Sequence, residues 1–266
     1  MTITGAGELA DDTAAARAGF IGGTASPHIT RTIMLEELRT LLAACPPHST
    51  RSDYRLAVVD NNVLLRKTAT TRRKTFVVLG QLYALDPAVL LFRALRELWD
   101  ADSSAQPLLA TLCALARDPT FRATAAPVLD TPHDAQVEYQ QLSDAARRVF
   151  ADRFSAHSLR SIGKNAASSW QQVGHLRGRL RKTRQRAVCR PTAVAYALLL
   201  GYVCGERGDG LFETFWCRVL DASAGELRAQ AVAASQQGWL EYRHAGGVTD
   251  VTFSHLLRGW RQEADG

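Results

Sequence analysis

No aspartate or glutamate falls between Asp152 and Glu206. Ten basic residues do: Arg153, Arg160, Lys164, Arg177, Arg179, Arg181, Lys182, Arg184, Arg186 and Arg190. That segment carries +10 in a chain of formal charge +6, which leaves −4 for everything else. A basic stripe confined to one segment is the electrostatic footprint of an anionic polymer partner.

Other absences narrow the reading. The five cysteines (Cys45, Cys113, Cys189, Cys204, Cys217) include no C-x-x-C pair. That argues against a disulfide scaffold or a zinc site and for reduced thiols in the cytoplasm. The longest apolar run, "TAVAYALLLGYVC" at 192–204, is shorter than the roughly 20 residues that cross a bilayer. A buried core helix is expected, with no membrane partner. The opening "MTITGAGELADD" has neither the basic nor the apolar region of a signal peptide. G-x-x-x-x-G-K-[ST], G-x-S-x-G and H-E-x-x-H are all missing. The Gly-rich "GERGDG" at 205–210 links two apolar segments and reads as a turn. No catalytic residue, metal ligand or cofactor is assigned, and no enzyme activity is expected.

What is present reads mainly as helix. With 46% hydrophobic and 22% charged residues, the chain has an ordinary globular composition. Residues 1–29 are rich in Gly, Ala and Thr and are expected to be a poorly ordered lead-in. Residues 30–135 hold successive helical patterns, including a basic, helix-turn-helix-like segment. Residues 136–266 change character, with helices followed by short alternating stretches. "WLEYR" and "VTDVTF" flank a glycine-containing turn at 244–247, the signature of a β-hairpin. With the helix "GELRAQAVAASQQ" and two apolar helices before it, this gives three helices and a hairpin, the order of a winged helix-turn-helix module. Residues 137–190 resemble a second such unit with a less complete β part. The expected fold is mainly α, a helical N-terminal half followed by winged-helix-like modules with two short β-hairpins.

Within that second unit, Leu159, Ile162, Ala166, Trp170 and Val173 recur at helical spacing, with Ser158 as a candidate cap and Gly174 as a C-terminal stop. The opposite face carries Ser161, Lys164, Asn165, Ser168 and Gln172 and no carboxylate. Amides can pair with adenine edges, while Ser and Lys can reach phosphates. A solvated surface face is the plainer alternative. Next, "HLRGRLRKTRQR" alternates Arg177, Arg179 and Arg181 with Leu176, Gly178 and Leu180. A strand would put the arginines on one face and the leucines on the other. Lys182, Arg184 and Arg186 complete the basic wing, which would hold a phosphate backbone in a salt-dependent way. The alternative is an edge strand protected by charge.

A second basic cluster, Arg66, Lys67, Arg72, Arg73 and Lys74, lies in a stretch without acid from Asn61 to Leu85. Thr68, Thr70 and Thr71 sit at its loop-to-helix junction, with Thr70 or Thr71 expected to cap the helix. An exposed helix start explains that cluster equally well.

Four stretches together resemble the BrxA family of bacteriophage exclusion (BREX) defence loci: "TRTIMLEELRTLLAAC", "DNNVLLRKTATTRRKTFVVLGQLYAL", "LARDPTFRATAAPVL" and "SIGKNAASSWQQVGHL". The resemblance covers roughly residues 30–260 and consists of short, degenerate motifs. It implies a non-catalytic, mainly helical component that binds double-stranded DNA, beside a methyltransferase, an ATPase and other proteins of the locus. The N-terminal lead-in and the fuller C-terminal hairpin depart from the family pattern. They leave open both a BrxA proper and a relative from another defence or regulatory locus. Rival readings are a protein-interaction scaffold and an RNA-binding or transcription-regulatory protein using the same basic surface.

Overall fold

A computed structural model describes residues 13–24 and 26–260. Residues 1–12 and 25 of the expected lead-in lie outside that range. Over residues 13–24 and 26–29 the expectation of poor order fails, because these stretches are pinned into the core. Helix α1 (Thr13–Ala18) buries Ala15 and Ala18, and Phe20 follows them inside. Two buried arginines hold this stretch. Arg117 donates to the Gly19 carbonyl at 2.5 Å, and Arg122 to the Ile21 carbonyl at 3.3 Å. A 3-10 turn (Pro27–Ile29) then leads to α2 (Leu35–Ala44).

Helix α3 (Arg51–Arg55) starts in a capping box between Thr50 and Asp53 and runs into a π turn over Leu56–Asp60. Helix α4 (Ala69–Tyr83) is capped by Thr68, which accepts the Thr71 N–H at 3.1 Å. The cap falls ahead of the threonines expected from sequence. Helices α5 (Leu90–Trp99) and α6 (Gln106–Arg117) are buried over most of their length. Asp118 caps α7 (Pro119–Ala123), and α8 (Ala125–Leu129) follows.

The next stretch corrects the reading of residues 137–190. Its β part is the more complete one, with three strands. After β1 (Gln136–Val137) come α9 (Tyr139–Phe150), α10 (Ala156–Gln172), β2 (Leu176–Arg177) and β3 (Lys182–Arg184). The antiparallel sheet has the order β1-β3-β2, with Gln136 opposite Thr183 and Leu176 opposite Arg184. Helix–strand–helix–helix–hairpin is the connectivity of a winged helix. Two residues of β1 were too few to leave a periodic signal.

Helix α11 (Pro191–Val203) is apolar on every side, and all but two of its residues are buried. It packs against α5 and α6 on one side and the C-terminal elements on the other, and the Tyr196 hydroxyl donates to the Leu91 carbonyl at 2.8 Å. The second module continues with a 3-10 turn (Gly208–Glu213), α12 (Phe215–Val219), α13 (Ala224–Gln236), β4 (Glu241–Ala245) and β5 (Val248–Thr252). Gly246 and Gly247 both have positive φ, as a two-residue hairpin turn requires. The 3-10 turn lies beside β5, where Thr249 donates to Asp209 at 2.7 Å. It stands where β1 stands in the first module.

The main hydrophobic core runs from Ala15 to Leu256 through both halves, and a small second cluster joins Ala146, Leu159 and Ile162 between α9 and α10. Among the described residues, no helix is long and apolar enough to cross a membrane.

The closest helix packing in the first module is at Gly163. A Cβ there would meet Ser143 Oγ at 2.1 Å and the Tyr139 carbonyl at 2.5 Å. Gly163→Ala therefore forces α10 away from α9 and lowers stability by about 1–3 kcal/mol in thermal or urea unfolding. Gly225→Ala, in a helix position where a Cβ meets nothing within 4 Å, leaves the midpoint unchanged or slightly raised.

Candidate nucleic-acid interface

Helix α10 starts at Ser155, which accepts the Ser158 N–H at 3.2 Å, one turn earlier than the sequence implies. Leu159, Ile162, Ala166, Trp170 and Val173 are all buried, and Gly174 closes the helix with φ +88°. The exposed stripe is rotated by about 60° from the expected one. His157, Arg160, Lys164, Gln171 and Gln172 are open to solvent, while Ser161, Asn165 and Ser168 are half-buried beside them. Arg160 has no hydrogen bond or ion pair. Lys164 Nζ lies 5.4 Å over the Tyr139 ring, and Ser168 Oγ donates back to the Lys164 carbonyl at 3.1 Å.

The rotation has a cause. Residues 28–33 lie along the other side of α10 and occupy its amides. Asn165 Nδ2 donates to the His28 carbonyl at 2.8 Å, and Gln172 Nε2 donates to Thr32 Oγ1 at 3.2 Å. Sequence assigns both residues to base reading; Asn165 is half-buried and committed within the protein, whereas Gln172 stays exposed and is tied only through its Nε2. The missed members of the stripe, Arg160 and Gln171, lie four residues before and seven after Lys164. Helical spacing alone could have found them.

The same segment builds a buried relay. His28 Nδ1 donates to Asp118 Oδ2 at 2.7 Å, and His28 Nε2 lies 2.9 Å from Ser169 Oγ. This is the order of a Ser-His-Asp triad, but all three side chains are fully buried, and Ser169 Oγ accepts the Ile33 N–H at 2.8 Å. The relay fastens residues 28–33 to α10 and α7. Burial pushes the Asp118 carboxyl up, but attraction to His28 and hydrogen bonds from His28, Thr120 and Phe121 outweigh it and hold it below the usual range.

Beyond α10, the β2–β3 hairpin forms the wing, and its alternation differs from a regular strand. Leu176 is buried, but the chain turns at Gly178 (φ +98°), and Leu180 projects from the tip at 96% exposure. The leucines therefore do not share a face. Arg179 and Arg181 are exposed and make no hydrogen bond or ion pair. Arg177 is exposed and pairs with Asp134 at 3.0 Å. Lys182 donates to Gln171 Oε1, which joins the root of the wing to the C-terminal end of the α10 stripe.

Two of the expected wing contacts point elsewhere. Arg184 is 1% exposed and pairs with Asp221 at 2.7 Å, because it sits on the inner face of the sheet. It cannot touch a phosphate. Arg186 is exposed, but it pairs with Glu226 and donates to the Asp221 carbonyl at 3.1 Å. Asp221 Oδ2 also accepts the Ala187 N–H at 3.1 Å, so the turn between α12 and α13 is tied to the wing root. His175 lies in the same junction and donates from Nε2 to the Val219 carbonyl at 2.8 Å. Burial, with help from the nearby Arg184 charge, holds its imidazole down to about 4.

The upstream cluster stands apart. Arg66 pairs with Glu37 at 2.5 Å, and Arg72 donates to the Asp60 carbonyl at 3.4 Å. Lys67, Arg73 and Lys74 are exposed without partners. Helix α4 approaches the α10 region at its far end, where Tyr83 donates to the Ile33 carbonyl. Arg73 lies ten residues away, about 15 Å along the helix axis. The structure does not bring the two clusters into one site.

Among the described residues, the second module shows no equivalent cluster: Arg243 on β4 is exposed and unpartnered, but stands alone. On α13, Gly225, Ala229, Val232 and Gln236 are exposed, and the one arginine, Arg228, pairs with Asp209 at 2.8 Å. All five cysteines are free, and burial pushes Cys113 up to about 11 and Cys217 up to about 12. Among the described residues, no group of three or more His, Cys, Asp or Glu could hold a metal ion. No protein-family model matches the chain, and no curated protein matches it at a significant level.

The junction gives two stability predictions. Asp221→Ala leaves Arg184 buried and unpaired and costs about 3 kcal/mol or more in urea unfolding, whereas Arg177→Ala, at an exposed pair, changes the midpoint little. His175 is neutral when folded and takes up a proton more readily when unfolded. Its contribution is present in full above pH 6.5, its ordinary value, and is lost as pH falls toward 4. His175→Gln keeps a donor for the Val219 carbonyl and does not titrate, so its melting temperature falls less than that of the wild type between pH 7 and pH 4.5.

Proposed function

We propose that this protein binds double-stranded DNA, without catalysing a reaction on it, through the exposed stripe of α10 and the wing of the first module. The observation that carries this reading is a set of unpartnered cations in one winged-helix module. Arg160, Arg179 and Arg181 have no internal partner, Lys164 rests only on an aromatic face, and Lys182 links wing to helix. Cations left unpaired by their own fold are available to displace counterions from a phosphate backbone. Of the amides that would have read bases, Asn165 is taken by the His28 carbonyl and Gln172 is tied through Nε2 to Thr32, so contact is dominated by the cations and sequence preference is weak.

The proposed setting is the cytoplasm, supported by five free thiols. The resemblance to the BrxA family supports a place in an anti-phage locus, with the methyltransferase and ATPase of that locus as protein partners. The uncharged face of α13 is where the reading as a protein scaffold gains most, since it offers a surface without competing cations.

Fluorescence anisotropy with a random duplex of about two helical turns, over a salt series, tests the DNA reading. Wild type binds with a steep salt dependence. The quadruple variant Arg160→Ala, Lys164→Ala, Arg179→Ala, Arg181→Ala loses affinity, and its log–log salt slope falls by about 3–4. Changing Arg73 and Lys74 to Ala shifts neither quantity by more than a small amount. Equal binding by the quadruple variant, or no binding by wild type at low salt, overturns the proposal.

A further inference from the structure

Leu180 is the most exposed of the large apolar side chains described, and nothing in the fold requires it to be. Its neighbours on both sides, Arg179 and Arg181, are exposed and unpartnered. The tip that carries it is held at its base. Gly178 has φ +98°, and a Cβ there would come within 2.1 Å of the Arg181 carbonyl oxygen, so only glycine fits the turn. Arg177 braces β2 through Asp134 and Thr183, and Lys182 braces β3 through Gln171 and the Gly178 carbonyl. A tip fixed in this way keeps the leucine off the protein surface, where hydrophobicity would otherwise fold it down.

We propose that Leu180 is an apolar wedge, inserted by the wing between base pairs in the minor groove while Arg179 and Arg181 hold the flanking phosphates. Wedges of this kind unstack a base step and bend the duplex, and one side chain is enough. The inference rests on the DNA-binding reading and adds the mode of contact at the wing tip. A lipid surface fits less well, because one leucine supplies far less apolar burial than membrane anchoring needs. The other strongly exposed leucine, Leu65 at 85%, is a poor candidate for the same role. Its neighbour Arg66 is paired with Glu37, so Leu65 is not flanked on both sides by unpaired cations as Leu180 is by Arg179 and Arg181.

The test uses the full-length protein and two duplexes of equal length, one with central TpA steps and one with GpC steps. Each carries 2-aminopurine beside the central step. Pyrimidine–purine steps unstack most easily, so wild type binds the TpA duplex more tightly and raises its 2-aminopurine fluorescence. Leu180→Ala binds the TpA duplex about tenfold more weakly, the loss expected for one buried leucine side chain. It keeps the wild-type salt slope and loses both the fluorescence rise and the step preference. Leu180→Met restores them. If Leu180→Ala matches wild type in affinity, fluorescence and step preference while Arg179→Ala and Arg181→Ala lower the salt slope, the wedge is wrong and the DNA reading stands. If wild type binds neither duplex, both fall. Binding of wild type but not Leu180→Asp to phosphatidylserine vesicles, without the fluorescence rise on DNA, assigns the tip to a membrane and overturns the wedge.

Discussion

The buried pair of Arg184 and Asp221 is the contact on which the arrangement of the two modules depends. Arg184 belongs to the last strand of the wing, and Asp221 to the turn between the second and third helices of the following module. The Arg184 charge leaves water and Asp221 keeps only an edge exposed, a cost that attraction alone repays only when the remaining hydrogen-bonding groups also find partners. Here most do. Arg184 reaches the His175 and Gln185 carbonyls, and Asp221 accepts the Ala187 N–H. His175, buried beside them, must stay neutral to donate to Val219 without adding a third charge. One ion pair thereby fixes the root of the wing against the second module. The tip can then project into solvent with its cations unpaired.

A second buried group sets what α10 can offer. The His28–Asp118–Ser169 relay draws residues 28–33 across one side of the helix. Asn165 spends its amide on that segment, Gln172 is tied to it at the edge, and the helix keeps Arg160, Lys164 and Gln171 outward. The outward face is led by the cations of Arg160 and Lys164, with the Asn165 amide turned inward. The relay has the connectivity of a hydrolytic triad without its access, since no reacting group could reach a serine that is fully buried. Its chemistry is that of a latch.

The sequence by itself determined the helices, the apolar α11 at the centre of the core and the β4–β5 hairpin. Each is written in local periodicity or in two adjacent glycines, which need only near neighbours in the chain. It also determined that a long acid-free segment would concentrate positive charge around α10 and the wing. Net charge is additive and does not depend on packing. Only the tertiary structure decided which of those cations remain available. Arg184 and Arg186 look like Arg179 and Arg181 in "RGRLRKTRQR", yet partners more than thirty residues away claim the first two and leave the others free. The short strand at Gln136–Val137, the burial of His28 and the exposure of Leu180 follow the same rule. Each depends on contacts between distant segments or on a turn whose geometry overrides alternation, and a linear pattern does not encode them.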